Sequence, residues 1–503
     1  MAVSLNDQLV QLQRLERAAE ADARLLCRHS LRQNTQLDAA ITAAEKILTS
    51  DIGRRVNNYS ALDWLFYLRA PSARRLLGWL NDGFETMHHA EFFTSQSTRT
   101  STDTQRHPRG IRPILNEHRF RRIAQLIGTA FVWRQLRVFR SLHAMGIEIR
   151  LHAATGFLEK FPTPDQDAAL KLYNRRIYSR PMLLVSGGGI AATTGDSDSE
   201  TTTFVCVGIT DAGFQVGPLG LAKFRDVFSL GVVKAEFLQA IGDLLFLLKV
   251  GYIAARNAGL RDQLDHYGMF CIESRLVTSL LEEAQKVISP LSELIPSWSF
   301  GTAESLQQRA HSIGHDFGFA PPLRTAGEWS AWDLFAASSF LDELLFRSLE
   351  KRKEERGPIF EDDVQAMIDR TSWGSPPEIR SWRGRNVKID DKVVTDIDAI
   401  GCRDSRMLLV ECKSIYYGLA HGLASQSEIR NAREKVEAAV RKCSANKLSR
   451  ATNIDFKDFS EITRIVCTPV PVYVAAEYAK PDASGFPNSI SYWELYHLLW
   501  HGQ

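Results

Sequence analysis

Apolar residues near the start of the chain recur at alternating three- and four-residue steps. Leu5, Leu9 and Leu12 are followed by Ala19, Ala23 and Leu26, with Glu16 at the one polar position in the series. That spacing marks one face of an α-helix, so residues 4–92 read as helical, and Ser4 or Asn6 can cap the start. Residues 37–48 predict a second helix. The two form either a short antiparallel pair, which the polar Glu16 favours, or a dimerising coiled-coil seam. Trp64, Phe66, Tyr67, Leu76, Leu77, Trp79 and Leu80 read as an aromatic core cluster.

The pattern then changes several times. Residues 94–109 are polar, with Pro108 near the end, and predict a linker or mobile loop; its Arg99, Arg106 and Arg109 are either phosphate contacts or solvated. Residues 118–143 return to a helical pattern, with Arg134, Arg137 and Arg140 on one side and Phe120, Phe131, Trp133 and Phe139 interleaved toward a core. A basic ridge of this kind suits a phosphate backbone; a solvated helix face is the competing reading. Residues 147–151, 182–185 and 204–209 read as strands. The glycines 187–189 are followed by neither Lys-Ser/Thr nor a helix, which predicts a flexible hairpin loop and no phosphate loop. Residues 233–350 read as helices again, broken near Pro290, Pro296 and Pro321-Pro322. The most apolar run, 237–255, is interrupted by Asp243 and Lys249, so a buried helix is expected there and no membrane span. His311 and His315 stand four apart without the Glu of an HExxH pattern and read as structural histidines.

A length of 503 residues predicts two to four domains. The expected fold is α+β and multi-domain: a helical domain over 1–93, a linker or mobile loop over 94–110, a mixed, mainly helical domain with a small β section over 111–350, and an α/β domain over 351–503. The net charge of +2 gives no global basic signal, so any nucleic-acid contact must come from local patches. Seven cysteines without a CxxC pair argue against a zinc knuckle or a disulfide framework and fit a reducing cytoplasm. The first residues have no basic start and no apolar run, so a signal peptide is not expected.

The candidate chemistry lies in two strand-like runs, 393–400 and 407–414, separated by a polar turn over 401–406. Side chains two apart in a strand point the same way. Asp396 and Asp398 therefore share a face, as do Glu411 and Lys413. Charges on a half-buried strand face must be paired or must hold a metal. Converging carboxylates repel, and a divalent cation between them removes the repulsion. Mg2+ accepts one or two carboxylates plus waters and phosphate oxygens, and it both acidifies a bound water and neutralises charge on a phosphate. A solvated ion pair on a surface hairpin is the plainer alternative.

Asp398 followed by Glu411-Cys412-Lys413 on the next strand resembles the core of the PD-(D/E)XK nuclease superfamily, the restriction-endonuclease-like fold. The family's core runs helix, three strands, helix, strand (αβββαβ). Residues 361–370, 378–389, the hairpin, 427–442 and 463–474 match that order over roughly the last third of the chain. The resemblance implies that Asp398 and Glu411 bind Mg2+ or Mn2+, with the Cys412 carbonyl as a further ligand. It implies that Lys413 orients the attacking water and that Glu361 supports the metal from the first helix, with Glu343 as a substitute for Glu361. Asp396 departs from the pattern and is either the true ligand or a ligand of a second ion.

The helix that follows carries Arg430, Arg433, Lys435, Arg441 and Lys442, with Lys447 and Arg450 beyond it and Tyr416, Tyr417 and His421 before it. This is the strongest local basic run in the chain, although Glu428, Glu434 and Glu437 compensate for part of it. The expectation is a cytoplasmic, metal-dependent phosphodiesterase, a DNA endonuclease before an RNA-directed one, of the kind that serves bacterial restriction or antiviral defence. No membrane is expected as a partner. The N-terminal region would choose the substrate, a partner protein or a second copy of the chain. The competing class is a metal-free module of the same fold that binds nucleic acid or assembles with partner proteins.

Overall fold

The computed structural model describes residues 5–34, 36–70, 83–99, 116–178, 269–285, 356–415, 426–445 and 451–501. It also describes 105–107, 110–112, 190–194, 203–210, 213–220, 299–301, 321–326 and 328–333, with a few single positions between.

The chain opens on α1 (Leu5–Gln33), α2 (Leu37–Val56), α3 (Ala61–Arg69), α4 (Gly83–Thr94) and, beyond the short hairpin β1 (Gln105–His107) and β2 (Gly110–Arg112), α5 (Glu117–Ala144). Side-chain caps set the starts of α3 and α5. Ser60 and Asp63 form a capping box, and Asn116 accepts the Arg119 N–H at 3.0 Å. The apolar face of α1 meets two partners. Leu12, Ala23, Cys27 and Leu31 share one core with Ala40, Ile41, Ala44 and Leu48 of α2 and with Ile123, Ile127 and Ala130 of α5. Tyr59, Trp64 and Tyr67 pack edge to face with centroids 5.2–6.1 Å apart, while 76–80 lie outside the described residues. The expected linker over 94–110 is partly built in. Ser97 is buried and donates to the Tyr59 carbonyl at 2.6 Å.

The middle of the chain contributes the hairpin β3 (Glu148–Leu151) and β4 (Leu158–Phe161), helix α6 (Pro164–Tyr178), and an antiparallel sheet of β5 (Ile190–Thr194), β6 (Thr203–Thr210) and β7 (Gly213–Gly220). Within 233–350, four short runs expected as helix are strands, much of that range lying outside the described residues. Here β8 (Met269–Glu273), β9 (Ser299–Gly301), β10 (Leu323–Ala326) and β11 (Trp329–Asp333) form a four-stranded sheet in the order β8-β11-β10-β9, with α7 (Ser274–Gln285) after β8. Runs such as 269–273 and 329–333 are short and buried at nearly every position, so they carry no period that separates strand from helix. Arg69 of α3 grips Asp333 with both ends of its fork, at 3.1 and 2.8 Å, and also pairs with Glu91. Arg324 completes a buried cluster of two guanidiniums and two carboxylates that pins α3 and α4 to this sheet. The glycines 187–189, residues 237–254, His311, His315 and Glu343 lie outside the described residues.

The last part contains α8 (Arg356–Asp369), α9 (Pro377–Arg380), β12 (Asn386–Ile389), β13 (Lys392–Asp396), β14 (Ala399–Arg403), β15 (Arg406–Cys412), α10 (Gln426–Ala445), β16 (Glu461–Thr468), α11 (Ala476–Ala479), β17 (Ser489–Ser491) and α12 (Tyr492–His501). Its sheet runs β14-β15-β16-β17, with the first pair antiparallel and the others parallel. Phe360, Val364, Met367 and Ile368 of α8 and Leu495 of α12 cover the face of Leu408, Val410 and Cys412. On the other face Met407 and Leu409 meet Leu448 and Phe456, and α10 lays Val436 and Val440 in the core that includes Val466. The result is a three-layer α/β/α unit. Among the described residues, no helix is long and apolar enough to cross a membrane.

Four expectations shift here. The first strand, expected over 378–389, is helix α9 followed by β12, because Pro377 occupies the first turn of a helix. The run 393–400 is broken at Ile397-Asp398, so β13 pairs only with β12 and β14 begins afresh at Ala399. The six-residue turn contracts to Asp404-Ser405, with Asp404 in the left-handed region at φ 54°. The last strand stops at Thr468 instead of reaching 474, where the Thr468 hydroxyl turns to the Val470 carbonyl at 2.8 Å.

Candidate functional site

The break between β13 and β14 is the centre of the site. Its backbone is held from the preceding turn: the Gly384 N–H donates to the Ile397 carbonyl at 2.8 Å, and the Ile397 N–H to the Arg385 carbonyl at 3.2 Å. Because Ala399 opposes Val410 in the ladder, Asp398 falls beside the end of β15. Its Oδ2 accepts the Cys412 backbone N–H at 2.6 Å. Asp398 is 7 % exposed and Glu411 is 6 % exposed. Glu411 Oε1 meets Lys413 Nζ at 2.9 Å, and its Oε2 accepts the Cys443 thiol at 3.4 Å. The Lys413 N–H continues the strand by donating to the Cys467 carbonyl at 2.9 Å, while its side chain is about one third exposed. Glu361 of α8 is half-buried, and Asp396 at the end of β13 is exposed.

Charge in this corner is out of balance. Burial pushes the Asp398 carboxyl up to about 7; the Cys412 N–H and Lys413 oppose the rise, and Asp396 and Glu361 add to it. Burial also raises Glu361, with Arg383 opposing and Asp396 adding. Burial alone would lower the Lys413 ammonium, but the hydrogen bond and charge of Glu411 hold it above its usual value. Lys413 thus acts on Glu361, Asp398 and Glu411 together, and Arg383 acts on Glu361.

Those oxygen donors fit a hard divalent cation. Among the described residues, no group of three or more His, Cys, Asp or Glu side chains is arranged to hold a metal ion alone. Mg2+ does not require one, since it keeps waters and takes substrate oxygens beside one or two carboxylates. Asp398 and Glu411 would supply those carboxylates, and the Cys412 carbonyl is adjacent in the chain.

The expected phosphate-binding cations divide sharply. Arg134 of α5 is buried. Arg137 lies over the Trp133 ring at 5.3 Å. Arg140 is paired with Glu45 at 3.0 Å and bonded to Thr42 at 2.9 Å. Arg140 is thus taken up by α2, Arg137 lies against a ring of its own helix and Arg134 is buried, so the three do not form the open basic ridge that a phosphate backbone would need. Arg433 is likewise structural. It donates to the Met145 carbonyl, pairs with Glu437 at 2.9 Å and covers the Tyr473 ring at 5.3 Å. Arg430, Lys435, Arg441 and Lys442 remain on the exposed face of α10, with Arg441 3.6 Å from Glu437. Tyr416, Tyr417, His421, Lys447 and Arg450 lie outside the described residues.

Two arginines that sequence reasoning passed over do much of the positioning. Arg383 donates through Nε to the Asp398 carbonyl at 2.7 Å and pairs through Nη2 with Asp362. Arg176 of α6 forks onto Glu494 of α12 at 2.6 and 2.8 Å. Neither contact has a local signature, because the partners stand 15 to 318 residues away. Comparison of the chain with protein-family models, with curated proteins and with solved structures gives no significant match.

Proposed function

We propose that residues 356–501 form a restriction-endonuclease-like core and that the protein is a Mg2+- or Mn2+-dependent phosphodiesterase, a DNA endonuclease, of use in bacterial restriction or antiviral defence. The observation that carries this reading is that two buried carboxylates from neighbouring strand segments, Asp398 and Glu411, both act on the Lys413 ammonium, which stands 2.9 Å from Glu411. A bound divalent cation would supply an acidified water and would neutralise charge on the phosphate. Lys413, partly exposed, can donate a hydrogen bond to a water and orient it. Glu411 keeps that ammonium charged and aimed. The Cys412 N–H fixes the Asp398 carboxylate, and Glu361 adds negative charge from α8. The exposed cations of α10 face solvent near the same sheet and suit a polyanionic strand.

The test is incubation of the purified chain with supercoiled plasmid and with labelled single-stranded RNA, in Mg2+ or Mn2+. Nicking of the plasmid that disappears in Asp398→Ala and Lys413→Ala is the expected result. RNA cleavage alone would reassign the substrate. Nucleic-acid binding that survives both substitutions, with no cleavage in any divalent ion, would replace the enzyme with a metal-free binding module.

A further inference from the structure

We propose that Arg383 is a positioning residue of this site, a bridge that fixes the Asp398 carboxylate relative to the helix carrying Glu361. The proposal rests on the nuclease reading for its consequence, and on geometry alone for its mechanism.

Arg383 belongs to the turn between α9 and β12, outside both sheets. Its guanidinium spans two elements. Nε donates to the main-chain carbonyl of Asp398 at 2.7 Å, and Nη2 pairs with Asp362, the residue after Glu361 on α8. The next two residues grip the same break through main-chain bonds: Gly384 N–H to the Ile397 carbonyl at 2.8 Å, and the Ile397 N–H to the Arg385 carbonyl at 3.2 Å. All three contacts converge on the one place where the chain leaves the β12–β13 hairpin and enters the four-stranded sheet. A ladder would normally fix a strand residue, but Asp398 lies between two strands and belongs to neither. Arg383 takes over that task.

The chemistry of the side chain matters. Asp362 is two-thirds exposed, so a plain ion pair there would contribute little to stability. A planar fork, by contrast, makes two bonds in fixed directions, and a lysine cannot hold a carbonyl and a carboxylate in that geometry. Arg383 also sets its charge against Glu361, so its loss would loosen the corner and increase its negative charge together.

The experiment uses the full chain and three variants, Arg383→Gln, Arg383→Lys and Asp362→Asn, with two readouts. The first is Mn2+ binding by isothermal titration calorimetry. Both Arg383 variants are expected to bind about 10- to 100-fold more weakly, as when an outer partner of a metal ligand is removed, while the thermal midpoint stays near that of the parent. Asp362→Asn should fall between. The second readout needs no metal. Hydrogen exchange at the Cys412 amide, which reports the bond to Asp398, is expected to quicken about tenfold in Arg383→Gln, with the amides of β16 unchanged. Retention of parental Mn2+ affinity and of Cys412 protection in Arg383→Lys would overturn the proposal. If the parent chain takes up no Mn2+, the nuclease reading fails, and the Cys412 amide still decides whether Arg383 positions Asp398.

Discussion

The Asp398 carboxylate accepts the Cys412 backbone N–H at 2.6 Å, across a strand break of only two residues. One acceptor site of the acid is thus occupied by main chain, and burial makes its ionisation costly. With its folded value near 7 against an ordinary 3.8, Asp398 holds its proton more tightly in the folded state. Its contribution to metal-free stability is complete below about pH 4 and is lost as pH rises through 7. Cation binding runs the other way, because the ligand must be deprotonated. Mn2+ affinity should therefore climb between pH 6 and pH 8. Asp398→Asn should stabilise the metal-free chain at pH 8 by about 1–2 kcal/mol and abolish Mn2+ uptake. Urea midpoints in EDTA at the two pH values check the first part. A parental pH slope in the variant would refute the assignment.

Lys413 separates binding from chemistry. Its ammonium pairs with Glu411 yet stays about one third exposed, so a methionine can replace the stem without opening the core. Lys413→Met should lower plasmid cleavage by about 10²- to 10⁴-fold, the usual loss when a group that handles a reacting proton is removed. Mn2+ affinity should hold or increase, since a competing cation has left Glu411. Equal loss of Mn2+ binding and of cleavage would make Lys413 a structural partner of Glu411 and nothing more.

Arg176 joins the middle of the chain to its end. Besides forking onto Glu494, it donates to the carbonyls of Val472 and Ser489 at 3.4 and 3.5 Å. Burial would raise the Glu494 carboxyl, but Arg176 outweighs it and holds the group below its ordinary value. The pair's contribution is thus present above about pH 4.5 and is lost as pH falls below it. Arg176→Ala should cost about 1–3 kcal/mol, because Glu494, about one quarter exposed and still held by Ser491, loses its charged partner. Arg176→Met combined with Glu494→Leu should recover most of that. Urea unfolding of the single and double variants reads both numbers, and additive losses would show that the two residues do not act as a pair.

What was legible in the sequence, and what was not, follows from range and period. The helices α1, α5 and α10 announce themselves through long helical patterns, α8 is expected only through the family resemblance, and β17 turning into α12 is visible in the run 489–499. The break at Ile397-Asp398 was hidden, because 393–400 is one continuous β-like run and the partner of each half lies elsewhere in the chain. Short apolar runs at 269–273 and 329–333 had no period to betray a sheet. The arginines were the hardest. A spacing of three shows that Arg134, Arg137 and Arg140 share a side, but Glu45 and the Trp133 ring decide that the side faces protein. Asp398, Glu411 and Lys413 could be placed near one another from strand alternation, whereas Arg383 could not.

Glu16, the polar residue inside the first apolar series, is the remaining test of how α1 is held. It is buried, its Oε1 has no hydrogen-bond partner, and burial raises its carboxyl to about 8, with Glu20 adding to the rise and Arg17 and Arg24 opposing it. α1 and α5 approach closely at the backbone of Glu16: a Cβ at Gly128 would stand 2.6 Å from the Glu16 carbonyl oxygen and 2.9 Å from the Ala19 Cβ. Glu16 is only 3 % exposed at this contact, so its carboxyl is shielded from water there. The folded value lies above the ordinary 4.5, so Glu16 contributes most below about pH 4.5, and that contribution is lost as pH rises through 8. Glu16→Gln should remove the decline and stabilise the chain at pH 9 by about 1–3 kcal/mol. Gly128→Ala should cost about 1–3 kcal/mol, because the helices must part to admit the methyl group. It should also return the carboxyl toward its ordinary value by admitting water. The two substitutions should then be non-additive at pH 9, since Gly128→Ala removes the burial that Glu16→Gln is meant to relieve. Thermal midpoints of the two single variants and the double variant, at pH 6 and pH 9, decide it; additivity at both pH values would mean that the helix contact and the proton are independent.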